Sequence, residues 1–144
     1  MTMQKSIEIF VDGASRGNPG LSGIGIAFFD DKKNLVKKIF KFIGNATNNV
    51  AEYTALIYGV QEALIDRYTD VTIKSDSELM TKQLRGEYRV KNENLKPYYD
   101  QFLHLSRGFE KIKIISIGRK DNSVADKLAN KAIDSRFNTS LTIE

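Results

Sequence analysis

The sequence predicts one α/β domain, a five-stranded mixed sheet with helices packed on it, in the order βββαβααβα. Three observations carry this. Residues 7–43 hold three strand-like runs joined by short polar turns, which make an antiparallel meander. From Asn49 onward the apolar residues switch to helical spacing. Strands and helices then alternate, and a strand–helix–strand connection requires parallel pairing.

Ile7-Glu8-Ile9-Phe10-Val11 alternates and is rich in β-branched and aromatic residues, so it reads as the first strand. Asp12 to Gly20 follows as a turn-rich loop. Gly23 to Phe29 is the second strand, Asp30 to Asn34 a polar hairpin turn, and Leu35 to Ile43 a third strand with Lys37, Lys38 and Lys41. Between Asn49 and Asp66, the positions of Tyr53, Leu56, Ile57, Val60, Ala63 and Leu64 mark one helical face. Val71 to Ser75 is a short strand, and Ser77 to Leu84 a helix stopped by Gly86. Asn94 to Gly108 is a helix that tolerates Pro97 in its first turn. Lys111 to Ile117 is the last strand and Ser123 to Phe137 the last helix. All of residues 1–144 belong to one domain, with a core over about 5–137 and a polar tail, 138–144, expected to fray. No repeat, linker or low-complexity segment interrupts it.

A chain of 144 residues suffices for one domain with a real core. Its apolar runs are too short to span a membrane, and residues 1–6 carry no signal-peptide apolar region. With 0 cysteines there is no disulfide, thiolate zinc site or cysteine nucleophile, which fits a cytoplasmic protein. The net charge of +4 mildly favours a polyanionic partner. No obligate protein partner is evident, and a monomer is expected.

Four carboxylates stand out. Asp12 and Asp76 each follow a strand, where sites form in open α/β sheets and where an aspartate also starts turns. Glu52 and Asp126 fall in the first turn of expected helices. Asn49-Val50-Ala51-Glu52 has the spacing of a capping box, as do Ser123-Val124-Ala125-Asp126 and Ser75-Asp76-Ser77-Glu78. Taken singly, these acids are explained by turns and caps. Two details point the other way. Glu52 aligns with Leu56, Gly59 and Ala63 at the edge of a packed face, and Asp126 is flanked by the small residues Ala125 and Ala129. A carboxylate held against the protein body needs a partner, and the sequence offers no obvious buried arginine.

The blocks Asp12-Gly13-Ala14-Ser15-Arg16-Gly17-Asn18-Pro19-Gly20, Thr47-Asn48-Asn49-Val50-Ala51-Glu52-Tyr53, Lys74-Ser75-Asp76-Ser77 and Ala125-Asp126-Lys127-Leu128-Ala129 occur in this order on the elements just described. Together they resemble type 1 ribonuclease H, over about Ile7 to Ala132. The resemblance implies the RNase H-like fold and an endonuclease that hydrolyses the RNA strand of an RNA–DNA hybrid, leaving 5′-phosphate and 3′-hydroxyl ends. It implies Asp12, Glu52, Asp76 and Asp126 as catalytic ligands of two Mg2+ ions, with Mn2+ as a substitute. In that pattern Asp12 bridges both ions, Asp126 helps hold the water-activating ion, and Glu52 and Asp76 hold the leaving-group ion. It further implies that main-chain groups near Ser15 and Gly17, with Glu52, read RNA 2′-hydroxyls. Asn18, Asn48 and Asn49 contact the groove and the DNA side, and Thr47 belongs to a DNA-phosphate pocket.

The sequence departs from that pattern twice. The loop Ile117-Gly118-Arg119-Lys120-Asp121-Asn122 lacks the histidine many members carry there, and Arg119 is a candidate basic substitute near the scissile phosphate or a solvated loop charge. The only histidine, His104, sits in a helix and reads as a surface or packing residue. The basic protrusion some members use to grip the hybrid is missing between Gln83 and Lys91, so binding is expected to be weaker and more salt-sensitive, with stacking falling to Tyr88. Three other readings remain at this point: another nuclease of the same superfold, a non-catalytic hybrid-binding module, and a structural domain with ordinary helix caps.

Overall fold

The computed structural model describes residues 4–136 and 138–143. Strands β1 (Ser6–Gly17), β2 (Gly20–Phe29) and β3 (Leu35–Ala46) form the expected antiparallel meander. After helix α1 (Asn48–Ile65), β4 (Asp70–Ser75) pairs in parallel with β1, and β5 (Lys111–Ser116) in parallel with β4. Helices α2 (Glu78–Leu84) and α3 (Lys96–Ser106) connect β4 to β5. A 3-10 turn (Arg119–Asn122) leads from β5 into α4 (Ser123–Ser135). The five-stranded core, β3-β2-β1-β4-β5, is the one the sequence predicts.

The alternation of the strands divides the core between the two faces of the sheet. Ile7, Ile9, Val11, Ile24, Ile26 and Ile73 are buried with Tyr53, Leu56 and Val60 of α1. Gly59 lets α1 settle over Ile9, Val11 and Ile26. On the opposite face Ala27 and Phe40 pack with Leu128 and Ala132 of α4. A β-carbon at Gly25 would run into the Ala125 carbonyl and the Ala129 amide, so glycine there sets how closely α4 approaches. No described helix is long and apolar enough to cross a membrane.

Three expectations need correction. The loop expected over Asp12–Gly20 is mostly strand: β1 continues to Gly17 and pairs with β2 down to Gly17↔Gly20, across a cis Asn18–Pro19 bond. Glycine and serine content suggested a loop, but small residues suit close pairing here. Ser22 Oγ donates within a cluster of Ser15 Oγ (2.9 Å) and the Gly20 carbonyl (2.8 Å), and Ser15 Oγ donates to the Ala46 carbonyl at 2.8 Å. The tail expected to fray instead forms β6 (Asn138–Thr142), antiparallel to β3. An uncovered β3 edge would leave a row of backbone donors and acceptors unpaired, and the tail supplies their partners. Phe137, the expected end of the last helix, lies outside the described residues.

The third correction concerns the caps. Thr47, not Asn49, caps α1, its Oγ1 accepting from the Val50 amide at 3.2 Å. Ser77, not Ser75, caps α2, accepting from the Met80 amide at 3.2 Å. Asn122 rather than Ser123 occupies the cap position of α4. Each helix starts earlier or later than the box spacing implied, which frees Glu52 from any capping role: α1 has no acidic residue in its first turn.

Candidate metal centre

Pleating places Asp12 on the α4 side of β1, opposite Ile9 and Val11. It sits inside the strand, opposite Gly25, and is 5% exposed. Glu52 is set by α1, which lies so close to β1 that a β-carbon on Gly13 would strike the Ala51–Glu52 backbone. The Gly13 amide donates to Glu52 Oε2 at 3.2 Å. Asp76 is delivered by the carboxyl end of β4, the neighbour of β1. Asp12, Glu52 and Asp76 each place one carboxylate oxygen so that all three lie within 4.8 Å of one another. Asp126, exposed in the first turn of α4, borders the same cleft of about 500 Å³, outside this tight trio. The Asn130 amide donates to Asp126 Oδ1 at 3.3 Å, and Arg16 in turn donates to Asn130 Oδ1 at 3.4 Å.

Crowding of like charges in a dry place raises carboxyl pKa values. Burial, then the charges of Asp76 and Asp126, push Asp12 up from 3.8 to about 8. Burial, then Asp12 and Asp76, hold Glu52 well above the usual carboxylate range, with the Gly13 N–H opposing. Among the described residues no lysine or arginine forms an ion pair with any of the four acids. The donor set is entirely carboxylate oxygen, the chemistry that hard divalent cations prefer. A cation would neutralise the repulsion that the protein itself leaves uncompensated, so these residues fit such an ion.

The other candidate residues divide. Ser15, Asn48, Asn49 and Arg119 line the cleft. Gly17, Asn18 and Thr47 do not line it, and each has a visible structural task. Gly17 has φ +112, a backbone that favours glycine. Asn18 Oδ1 accepts from the Asn48 amide at 3.0 Å, and Thr47 caps α1. His104 is exposed on α3 and does not line the cleft. Between α2 and α3, residues 85–95 contain no helix, and Tyr88 is half-exposed there.

One residue of the site is not singled out by its sequence. Asn122 is 1% exposed, and its Nδ2 donates both to the Val11 carbonyl at 3.0 Å and to Asp76 Oδ2 at 3.1 Å. An asparagine before a helix reads as a cap, and no sequence signal turns it inward. It occupies the cap position yet makes no side-chain cap bond, forgoing about 1 kcal/mol of helix stabilisation.

The chain is thus an α/β protein whose mixed sheet carries a carboxylate-lined cleft able to hold a divalent cation. The chain matches the model of the "Reverse transcriptase-like" family over residues 10–132. It is 33% identical to ribonuclease H of Pseudomonas syringae, covering 92% of this chain and 95% of that one. A crystal structure of RNase H1 from Halobacterium salinarum superposes with TM-score 0.88 at 35% identity, over 90% of this chain and 98% of that chain. LC11-RNase H1, solved in complex with an RNA/DNA hybrid, gives TM-score 0.87 at 36% identity, over 90% and 98%. The chain belongs to the type 1 ribonuclease H family. It is also 38% identical to a bifunctional protein of Mycobacterium tuberculosis, of which it spans only 35%.

Proposed function

We propose that this protein is an endonuclease that hydrolyses the RNA strand of RNA–DNA hybrids with the help of two Mg2+ ions, for which Mn2+ substitutes. The observation that carries the reading is the convergence of Asp12, Glu52 and Asp76 within 4.8 Å, with no ion pair to a lysine or arginine among the described residues. In this reading Asp12, Glu52, Asp76 and Asp126 are the ligands. When bound, such ions supply an activated water and stabilise the leaving 3′ oxygen, so that the products carry 5′-phosphate and 3′-hydroxyl ends. The protein's part is to hold its acids in place before substrate arrives. Main-chain groups around Ser15 and Gly17, with Glu52, address the 2′-hydroxyls that distinguish RNA from DNA in the wide minor groove. Asn18, Asn48 and Asn49 contact the groove and the DNA side, Thr47 belongs to a DNA-phosphate pocket, and Arg119, which lines the cleft, acts as a basic group near the scissile phosphate. The reading takes the protein to act as a cytoplasmic monomer.

The test is a labelled RNA–DNA hybrid incubated with Mg2+, beside single-stranded RNA, duplex RNA and duplex DNA. Cleavage of the RNA strand in the hybrid alone is the expected result. Asp76→Asn, run in parallel, is expected to remain folded and lose more than about 100-fold in kcat, as removal of one preorganised catalytic group commonly does. Cutting of duplex DNA but not hybrid would point to another nuclease of the same superfold, and hybrid binding without cleavage to a non-catalytic module.

A further inference from the structure

We propose that Asn122 is a positioning residue that sets the spacing between Asp12 and Asp76. It rests on the reading of the cleft as a metal centre. The two N–H bonds of one buried amide are both committed: one to the carbonyl of Val11, the residue before Asp12, the other to the Asp76 carboxylate. A planar amide group holds its two donors at a fixed separation. The bonds therefore tie the strand that carries Asp12 to the end of the strand that carries Asp76, at the point where the two acids must share an ion. Through the main chain the same residue begins α4, whose first turn carries Asp126. One residue thus registers three of the four acids, two through its side chain and one through its main chain.

Three features separate this from ordinary packing. Asn122 stands where a cap would stand and gives no cap bond. Its Oδ1 is buried with no hydrogen-bond partner, so the side chain is not oriented by what would satisfy it best. Finally, it points a donor at a carboxylate that also sits in the acidic trio. That bond leaves the other Asp76 oxygen for a cation and fixes the direction in which it faces, as groups behind metal ligands commonly do.

Asn122→Asp keeps the shape, removes the amide donors and adds a carboxylate beside Asp76; Asn122→Ala removes the group without adding charge. Cleavage by the unsubstituted protein is measured first, so failure of the nuclease reading shows there and nowhere else. For the folded variants we expect kcat to fall about 10–100-fold with KM for the hybrid nearly unchanged, and the Mg2+ concentration giving half-maximal rate to rise. Calorimetric titration of Mn2+ without substrate is expected to show weaker binding in both variants, whatever the activity. In an Asp76→Asn background, Asn122→Asp should cost little further Mn2+ affinity. A folded variant with unchanged kcat, Mg2+ midpoint and Mn2+ affinity would overturn the proposal, as would a full additional loss in the Asp76→Asn background. Should both substitutions prevent folding, NMR of the unsubstituted protein decides. The Asn122 side-chain amide should exchange slowly with water and shift when Mg2+ binds, and fast exchange with no shift would refute the assignment.

Discussion

At the scale of single residues, the chemistry of the cleft follows from carboxylates being brought together without cations. Asp12 is raised from 3.8 to about 8 by burial and by Asp76 and Asp126, and Glu52 is raised by burial and by Asp12 and Asp76. A carboxyl raised in the folded state keeps a proton that the unfolded chain has already released. The contribution of Asp12 to the stability of the metal-free protein is therefore most favourable at low pH and falls as pH climbs from 3.8 towards about 8. The loss is expected to be on the order of a few kcal/mol, and it should be reversed by Mg2+, which favours the ionised form. Urea unfolding at pH 5 and pH 8 checks this. Asp12→Asn should flatten most of the pH dependence, and an unchanged pH slope in that variant would show that the raised carboxyl lies elsewhere. The acids themselves were legible in the sequence because they sit in recognisable blocks. Asn122 was not, since an asparagine ahead of a helix has the same appearance whether it caps or turns inward.

Among the elements, close approach decides where the ligands stand. Helix α1 presses on β1 at Gly13, and that contact brings Glu52 to the strand. Gly13→Ala would insert a methyl group into the Ala51–Glu52 backbone, forcing α1 outward. The expected cost is about 1–3 kcal/mol of stability, the range for overpacking a tight interface, together with weakened divalent-ion binding as Glu52 moves away. Gly118→Ala is the control: a β-carbon there meets only Asp121 Oδ2, at 4.0 Å, and should change stability by less than about 0.5 kcal/mol. Denaturant unfolding of both variants separates the outcomes. Element type and order could be read from hydrophobic period, as α1 and the β1–β3 meander illustrate. Element ends could not. Thr47, Ser77 and Asn122 took the cap positions one or two residues away from those the box spacing favoured, because rival polar residues stand side by side in each segment. The extension of β1 to Gly17 and the pairing of β6 depend on partners distant in sequence, which no local pattern announces.

For the whole molecule, the arrangement makes sense as a sheet whose strands and flanking helices gather acids at one cleft. β1 and β4 are adjacent and parallel, so Asp12 and Asp76 are neighbours by topology. α1 and α4 pack on opposite faces and bring Glu52 and Asp126 to the same cleft from either side. The chain carries a net charge of +4 despite its acidic cleft, as suits a protein that must approach a polyanion while holding carboxylates. The central claim is that the converging acids form one divalent-cation site. Calorimetric titration of Mn2+ into the metal-free protein, beside Asp12→Asn, addresses it most directly. Saturable binding to the unsubstituted protein, weakened at least about tenfold (about 1.4 kcal/mol) in a folded Asp12→Asn, is the predicted result; equal binding in the two proteins, or none in either, would contradict it.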